Sequence, residues 1–292
     1  MKKILLIGAT GQLGSAILSD TPSFGLEVVY FPKAELDAAN NIQVEEKIKA
    51  TGPDILINTS AYHLLPECEE HPEKAMEVNV AAVYRMAKLC KQYGVTFVNY
   101  STDYVFDGEK GSLNAEIDPV HPLQIYGISK AAGEFAVMDA HKEGSFIIRT
   151  SGLYGGRTGS RSKGGNFVLN IIKEAQGKDT LEVASEQIVN PTYAGHLGAA
   201  SLRLLSSGAA PGIYHLANEG YCSWAEFATE AFRLAGKRTR VIPVDRGGKN
   251  GIITRPKFSA LENIKAKKLG IKLPSWQEGL VSYFNFLNSP TK

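Results

Sequence analysis

Short apolar runs alternate with stretches of helical periodicity through the first half of the chain. The runs are rich in Ile, Val and Leu, and the segments between them can each hold a crossover helix. Continuous apolar runs are typical of strands buried on both faces, and strands that alternate with helices indicate a parallel sheet. The pattern therefore predicts an α/β fold with a doubly wound parallel sheet. The predicted strands are Ile4–Ile7, Glu27–Phe31, Ile55–Asn58, Thr96–Tyr100 and Phe146–Arg149, and the predicted helices are Gly11–Ser19, Ile42–Ala50, Pro72–Tyr93 and Ile125–Lys142.

The regular alternation loosens after about residue 150. The segment Gly155–Gly165 is rich in glycine and cations and has no apolar periodicity, which is typical of a long functional loop. Further along, Ser223 with Glu226 three residues later has the pattern of a capping box at a helix start. We therefore expect a division of the chain near residue 150. The predicted elements of the second part are the helices Asn166–Gln176, Ala194–Leu205 and Ser223–Ala235 and the strand-like run Gly212–Ala217.

The net charge narrows the classes of partner. The 292 residues carry 32 Lys plus Arg against 30 Asp plus Glu, so a formal charge of +2 gives no general attraction for nucleic acid or an anionic membrane. Cys68, Cys90 and Cys222 are too few and too scattered for a disulfide framework and favour a reducing compartment. The longest apolar stretches fall far short of the roughly 18 residues that a membrane span needs. We expect a cytoplasmic protein that binds neither nucleic acid nor membrane.

Three glycines follow the first predicted strand and open the first helix. Gly8 allows a sharp turn, Gly11 lets the backbone approach a pyrophosphate at the positive helix end, and Gly14 permits close packing of helix on strand. Turn chemistry alone could also use three glycines. The context favours a Rossmann-like NAD(P)-binding domain over residues 1–150. Residues 151–292 would then be a smaller, mainly substrate-binding part that could return elements to the first domain.

The end of the second strand bears on cofactor choice. NAD-preferring domains place an acid near this point to hold the ribose 2′-hydroxyl, whereas the stretch Tyr30–Lys33 has no carboxylate. Lys33 would attract the 2′-phosphate of NADP, although it could equally be an ordinary surface lysine. Asp37 and Ala38 could border the adenine. The sequence therefore favours NADPH and leaves NADH open.

A tyrosine and a lysine four residues apart begin the fourth predicted helix. Tyr126 and Lys130 share one helix face, where the ammonium charge would lower the phenol pKa from its ordinary value of about 10. Tyr126 could then give a proton to a carbonyl oxygen, and Lys130 could hold the nicotinamide ribose hydroxyls. Such a pair is often only a surface pair. Thr102, at the polar end of an apolar strand, could donate a hydrogen bond to the same oxygen, or could simply stabilise a turn.

Together these motifs resemble the extended short-chain dehydrogenases, and in particular the dTDP-4-dehydrorhamnose reductase family. The resemblance rests on the three glycines, on the block Ser101–Gly108 and on Tyr126–Lys130, and it covers nearly the whole chain. Further matching positions are Asn58–Tyr62, Glu69, Asn79, Arg149–Ser151, Asn166–Val168, Gln187, Pro191, Thr192, Arg255, Pro256, Ser259 and Leu261.

The resemblance implies reduction of a 4-keto sugar nucleotide with NADPH or NADH. It implies that Thr102, Tyr126 and Lys130 are the catalytic trio. The expected cofactor contacts are Gly8, Gly11, Gln12, Leu13, Gly14, Lys33, Asp37, Ala38, Ser60, Ala61, Tyr62, Tyr126 and Lys130. The expected substrate contacts are Thr102, Asp103, Gly152, Arg157 and Asn166.

Two departures from the family pattern fall on the substrate side. The family usually has Trp after its Arg-Thr-Ser run, where this chain has Gly152, and it commonly has Asp where this chain has Pro66. Either the sugar pocket is wider or another aromatic residue enters it, and Tyr104 and Tyr154 are the nearest candidates in sequence. The chemistry is therefore better supported than the exact sugar.

Other polar clusters in the sequence have plainer interpretations. Arg157, Arg161 and Lys163 could bind a diphosphate, but a solvated loop would have the same composition. Three histidine and cysteine residues could suggest zinc, but their spacing is irregular and they do not make up the four ligands of a closed zinc site, so no metal is expected. No Gly-x-Ser-x-Gly elbow surrounds Ser101, which excludes a hydrolase nucleophile of that type. The zinc candidates are His63, Cys68 and His71.

The expected activity is therefore the NAD(P)H-dependent reduction of the C4 ketone of a nucleotide-linked 6-deoxyhexose, first of all dTDP-4-dehydro-L-rhamnose. An alternative enzyme is another nucleotide-sugar 4-ketoreductase or an epimerase. An alternative from another class is a non-catalytic regulatory subunit, like the methionine adenosyltransferase beta subunit. The expected partner is the nucleotide sugar, and the sequence leaves the oligomeric state open, with a homodimer as one option.

Overall fold

A six-stranded parallel sheet forms the centre of the fold. The computed structural model describes residues 1–160, 164–250 and 253–290. Within these residues the sheet contains β1 (Lys3–Ile7), β2 (Glu27–Tyr30), β3 (Ile55–Asn58), β4 (Thr96–Thr102), β5 (Ser145–Thr150) and a last strand, Gly212–His215. Their spatial order is Gly212–His215, β5, β4, β3, β1 and β2. Since the strand order moves outwards from β1 to β2 on one side of the sheet and from β3 to β5 on the other, a crevice opens at the carboxyl ends of β1 and β3, where such sheets bind ligands.

Helices cover both faces of this sheet, so the predicted α/β class is confirmed. Ile17 and Leu197 pack against one face, and Val44, Met86 and Val137 pack against the other. The five predicted strands and the helices between them are confirmed with ends shifted by one or two residues, except that the predicted single helix after β3 is divided. The helices are α1 (Gln12–Asp20), α2 (Asn41–Thr51), α3 (Leu65–Glu70), α4 (Pro72–Met76), α5 (Ala82–Tyr93), α6 (Ile125–His141), α7 (Phe167–Glu174), α8 (Ala194–Ser206), α9 (Trp224–Leu234), α10 (Ile264–Lys268) and α11 (Trp276–Asn288).

One strand of the central sheet comes from beyond residue 150. Gly212–His215 pairs in parallel with β5, with Tyr214 opposite Ile148. The strand-like run predicted at Gly212–Ala217 therefore lies at one edge of the sheet. The residues after Thr150 thus complete the sheet that the first part of the chain begins.

The rest of the second part packs around an aromatic cluster. Tyr154, Phe227 and Tyr283 are almost fully buried there, and the ring centroids of Tyr154 and Phe227 are 5.2 Å apart. The predicted capping box of Ser223 and Glu226 is present at the start of α9 and is therefore confirmed. Among the described residues, no helix is long and apolar enough to cross a membrane. Short paired strands join this part: Leu153–Tyr154 with Thr192–Tyr193, Ile188–Val189 with Cys222–Ser223, Thr180–Ala184 with Arg240–Val244, and Lys249–Asn250 with Ile253–Thr254.

Candidate active site

The glycine turn after β1 has no room for side chains. A Cβ at Gly8, whose φ is +81°, would lie 2.5 Å from Thr59 Oγ1, and a Cβ at Gly14 would lie 2.2 Å from the Gly8 carbonyl oxygen. Gly11 is the N-cap of α1, and its N–H donates to the Gly8 carbonyl at 3.0 Å. A tight backbone turn at a helix start is the geometry that a dinucleotide pyrophosphate requires. The turn therefore fits an NAD(P) cofactor.

The two residues that follow Gly11 have different neighbours. The Leu13 side chain is 5% exposed and packs in the core, so only its backbone is available to a cofactor. Gln12 Oε1 accepts a hydrogen bond of 2.9 Å from the Gly155 N–H. Gln12 therefore links the start of α1 to the loop after Tyr154.

The residues after β2 form an open cavity of about 650 Å³. Lys33 and Asp37 lie on its wall and form an exposed ion pair of 3.6 Å. Ala38 is buried with the core, so its backbone rather than its side chain could face a ligand. Because β1 and β2 are neighbours, this cavity and the glycine turn lie at the same edge of the sheet. The place fits the adenosine end of a dinucleotide.

The loop after β3 is held by two asparagines. Asn58 Oδ1 accepts from both the N–H and the hydroxyl of Ser60. Asn79 Oδ1 accepts from the Tyr62 N–H at 2.9 Å, and its Nδ2 donates to the Tyr62 carbonyl at 2.8 Å. These hydrogen bonds hold Ser60, Ala61 and Tyr62 beside the glycine turn, where a contact with the cofactor is predicted for all three.

The start of α6 is fixed against the end of β4. The Gln124 side chain caps the helix by accepting from the Gly127 N–H, and a Cβ at Gly127 would lie 2.2 Å from the Tyr104 carbonyl oxygen. Tyr126, in the first turn, places its ring edge-on to Tyr104, with centroids 6.3 Å apart. Thr102, the last residue of β4, faces the Tyr126 phenol. The three predicted catalytic residues therefore lie together, with Lys130 one turn further along α6.

Burial dominates the electrostatics of this group. It lowers the pKa of Lys130 to about 8 against a weaker opposing effect of Glu134. Burial also raises the pKa of Tyr126 above its ordinary value, and Thr102 only partly opposes this. The expected lowering of the Tyr126 pKa by Lys130 is therefore wrong for this structure, since desolvation of the phenolate outweighs it. A protonated phenol is nevertheless the form that donates a proton.

Asp103 does not present a free carboxylate to the site. It is 3% exposed, and its oxygens accept hydrogen bonds from Thr102 Oγ1 at 3.1 Å, Ser151 Oγ at 3.0 Å and Ser259 Oγ at 2.5 Å. Burial raises its pKa to about 6, although the three hydroxyls lower it. Asp103 therefore links Thr102 to residues of the second part, and its predicted contact with substrate stays a prediction.

Two predicted substrate residues form hydrogen bonds within the second part, and their predicted contact with substrate stays a prediction. The Arg157 guanidinium donates to the carbonyls of Leu287 at 3.0 Å and Ser289 at 2.7 Å, which ties it to the end of α11. Asn166 caps α7, and its Nδ2 donates to the Tyr283 hydroxyl at 2.8 Å. In this structure both polar groups are thus engaged away from the catalytic trio. The predicted cations Arg161 and Lys163 lie outside the described residues.

Gly152 has an aromatic neighbour that sequence reasoning missed. Its φ is +54°, and a Cβ there would lie 3.1 Å from Pro191 Cα and 3.4 Å from the Trp224 ring. Trp224 is half-buried, whereas the sequence candidate Tyr154 is inside the aromatic cluster. Trp224 is therefore the aromatic side chain nearest to Gly152, and no local sequence signal connects positions so far apart.

Two further residues reach the site from a distant segment. Arg255 Nη1 donates to the Tyr104 hydroxyl at 2.9 Å, in addition to the Ser259 bond to Asp103. Gly108, with φ +79°, allows this approach because a Cβ there would lie 2.7 Å from the Phe258 nitrogen. The sequence showed these positions only as family matches, without a role. Within the residues that the structure describes, no group of three or more His, Cys, Asp or Glu side chains could hold a metal ion.

The sheet, the glycine turn and the Thr-Tyr-Lys group define an extended short-chain dehydrogenase/reductase. Residues 1–289 match the family described as RmlD substrate binding domain, and the chain belongs to that family. It is 36% identical to the spore coat polysaccharide biosynthesis protein SpsK of Bacillus subtilis, over 97% of each chain. It is 32% identical to the dTDP-4-dehydrorhamnose reductase of Streptomyces griseus, over 96% of this chain and 92% of that one. A solved dTDP-4-dehydrorhamnose reductase of Bacillus anthracis, in complex with NADP, superposes with a TM-score of 0.89 at 32% identity, covering 98% and 99% of the two chains.

Proposed function

We propose that the protein reduces the C4 ketone of a nucleotide-linked 6-deoxyhexose with NADPH or NADH, and that its substrate is dTDP-4-dehydro-L-rhamnose. The observation that carries this proposal is the grouping of Thr102, Tyr126 and Lys130 beside a glycine turn shaped for a dinucleotide. Relatives of nearly the same length that are named for this reaction support the substrate.

The three side chains have different tasks in the reduction. When bound, the reduced nicotinamide supplies the hydride that adds to the ketone carbon. The Tyr126 hydroxyl gives its proton to the ketone oxygen, and the Thr102 hydroxyl donates a hydrogen bond to that oxygen as charge develops on it. Lys130 holds the nicotinamide ribose hydroxyls and favours the phenolate that is left on Tyr126.

Cofactor choice depends on the cavity after β2. Lys33 is 85% exposed and paired with Asp37 at 3.6 Å, so its ammonium group is free to turn towards a 2′-phosphate at little cost. We expect NADPH to bind at least as well as NADH, and Lys33→Glu to shift the ratio of their dissociation constants towards NADH.

The first test removes one hydroxyl. Tyr126→Phe should keep NADPH binding and lose at least about a hundredfold in turnover, because the proton donor is gone and the ring remains. Turnover is followed by NADPH absorbance with dTDP-4-dehydro-L-rhamnose as substrate. The matched control is Tyr84→Phe on α5, whose ring lies beside Lys88 and belongs to no predicted site, so this variant should behave as the wild type.

A panel of nucleotide sugars separates the alternatives. Faster reduction of a different 4-keto-6-deoxyhexose would identify that sugar as the substrate and would leave the proposed ketone reduction unchanged. Interconversion of sugars without net NADPH consumption would indicate an epimerase. An absence of turnover with every sugar, together with intact NADPH binding, would favour a regulatory subunit. A homodimer remains a prediction that sedimentation of the purified protein would test.

A further inference from the structure

A buried ion pair lies directly behind the catalytic lysine. Arg149, on β5, donates from Nε to Glu134 Oε1 at 2.9 Å and from Nη2 to Glu134 Oε2 at 2.6 Å. The Ser101 hydroxyl also donates to Glu134 Oε1, at 2.5 Å. Both charged side chains are less than 5% exposed. Both oxygens of the Glu134 carboxylate therefore accept hydrogen bonds from groups on the two neighbouring strands.

The far side of the Arg149 guanidinium is also satisfied. Its Nη1 lies 3.4 Å from His215 Nε2, and His215 Nδ1 lies 3.2 Å from the Glu262 carbonyl oxygen. Burial, with a further contribution from Arg149, lowers the pKa of His215 to about 3, so this imidazole is neutral and can accept from the guanidinium. The cluster consequently contains one positive and one negative charge.

Lys130 is the other cation near this carboxylate. It precedes Glu134 by four residues on α6, a spacing at which side chains of opposite charge normally pair. Nevertheless, neither a hydrogen bond nor an ion pair within 4 Å joins Lys130 to another described residue, although the side chain is only 4% exposed. The bidentate bond from Arg149 explains why Glu134 does not turn towards Lys130.

We propose that Arg149 is a positioning residue for Lys130: by holding the Glu134 carboxylate, it leaves the Lys130 ammonium group free for the nicotinamide ribose and the Tyr126 phenol. This inference rests on the proposed function, because it takes Lys130 as the group that serves cofactor and phenol. Without Arg149, the Glu134 carboxylate would keep the Ser101 hydroxyl but lose its cation, and Lys130, whose charge it already affects, would be the cation left beside it. A buried carboxylate without a cationic partner is costly.

The proposal predicts a change in the pKa of Lys130, because charged groups surround this side chain. An opposite charge within a few ångströms raises a lysine pKa by about 1 to 3 pH units. In the wild type, burial holds the Lys130 pKa near 8 and Glu134 opposes only weakly. The titratable and charged groups that face this cluster are Tyr126 and Glu134 from α6, Arg149 from β5, His215 from the edge strand, and Cys68, Asp103 and Tyr104 around the phenol.

The test measures the titration of Lys130 in the cofactor-free protein. Lysines are labelled with ¹³C at Cε, and the Lys130 resonance is assigned by its absence in Lys130→Met. We expect Arg149→Gln to raise the Lys130 pKa by about 1 to 3 pH units, and Glu134→Gln to lower it. The double variant, which removes both charges, should return it close to the wild-type value. The reductase activity of Arg149→Gln should fall about tenfold or more and largely recover in the double variant.

A matched control removes an equivalent pair elsewhere. Arg233 forms the same bidentate bond to Glu230 on the surface of α9, so Arg233→Gln should leave Lys130 unchanged. If Arg149→Gln does not fold, the double variant and Glu134→Gln still test the inference. An unchanged Lys130 pKa in Arg149→Gln, or a double variant in which that pKa stays raised, would overturn it. Because this titration needs no turnover, a wild type that reduces no nucleotide sugar would contradict the proposed function separately.

Discussion

Burial gives the Asp103 carboxylate a pH dependence within reach of experiment. Its pKa is raised to about 6, and its ionised form accepts the hydroxyl of Thr102 together with those of Ser151 and Ser259. A protonated carboxyl accepts fewer bonds and would release one of these hydroxyls. We therefore expect turnover to fall as the pH drops through about 6. In Asp103→Asn, which does not titrate, the pH–rate profile should lose this acid limb while the plateau falls.

Stability should change in the opposite direction. The pKa of Asp103 is higher in the folded protein than its ordinary 3.8, so the ionised carboxylate disfavours folding above about pH 6. That cost, about 3 kcal/mol, should disappear as the pH falls from about 6 to about 4. Urea unfolding should show the wild type gaining stability relative to Asp103→Asn over this range. A difference that stays constant would show that Asp103 is not the titrating group.

Residues whose role depends on nearby positions could be predicted from the sequence. The glycines of the first turn and the pair Tyr126 and Lys130 have spacings that by themselves define a turn or a helix face. The bonds from Ser259 to Asp103 and from Arg157 to Leu287 join residues 156 and 130 positions apart. No local pattern encodes such pairs, because they exist only after the second part of the chain has packed on the first.

At the scale of elements, the predicted helix Pro72–Tyr93 shows where periodicity fails. The structure divides it into α4, a π-helical segment Glu77–Ala81 and α5. A π segment adds a residue to one turn, which the apolar spacing on either side does not reveal. Within it Asn79 is 1% exposed and holds the Tyr62 backbone. Most strands of the sheet could be predicted because both of their faces are buried, which gives continuous apolar runs. The π segment has no comparable pattern in the sequence.

The π segment leads to a prediction about the cofactor loop. Asn79→Ala would remove the amide from the half-buried N–H and C=O of Tyr62, at a cost of about 1 to 3 kcal/mol for a group left unpaired. We expect a lower melting temperature and weaker NADPH binding than in the wild type. Asn285→Ala, at an exposed position of α11, is a control that leaves this loop and the cavity after β2 intact. Unchanged NADPH affinity in Asn79→Ala would show that the Tyr62 loop does not contact the cofactor.

At the scale of the whole molecule, the two parts of the chain share one sheet and one catalytic edge. The edge strand Gly212–His215 pairs with β5, and the Gln12 side chain accepts from the Gly155 N–H. The bond from Ser259 to Asp103 is a further contact between the two parts of the chain. A strict division near residue 150 would therefore separate a strand from its sheet, and Gly212–His215 is an element of the kind that we expected to return to the first domain.

This arrangement predicts a single unfolding transition for the full chain. Removal of Gly212–His215 would expose one edge of β5 and would leave the buried Arg149 guanidinium without its His215 neighbour, so the first part has no independently complete sheet. Calorimetry should show one transition whose calorimetric and van't Hoff enthalpies agree, and NADPH should raise its midpoint as a whole. Two transitions, with NADPH shifting only one of them, would instead show that residues 1–150 and 151–292 fold as separate domains.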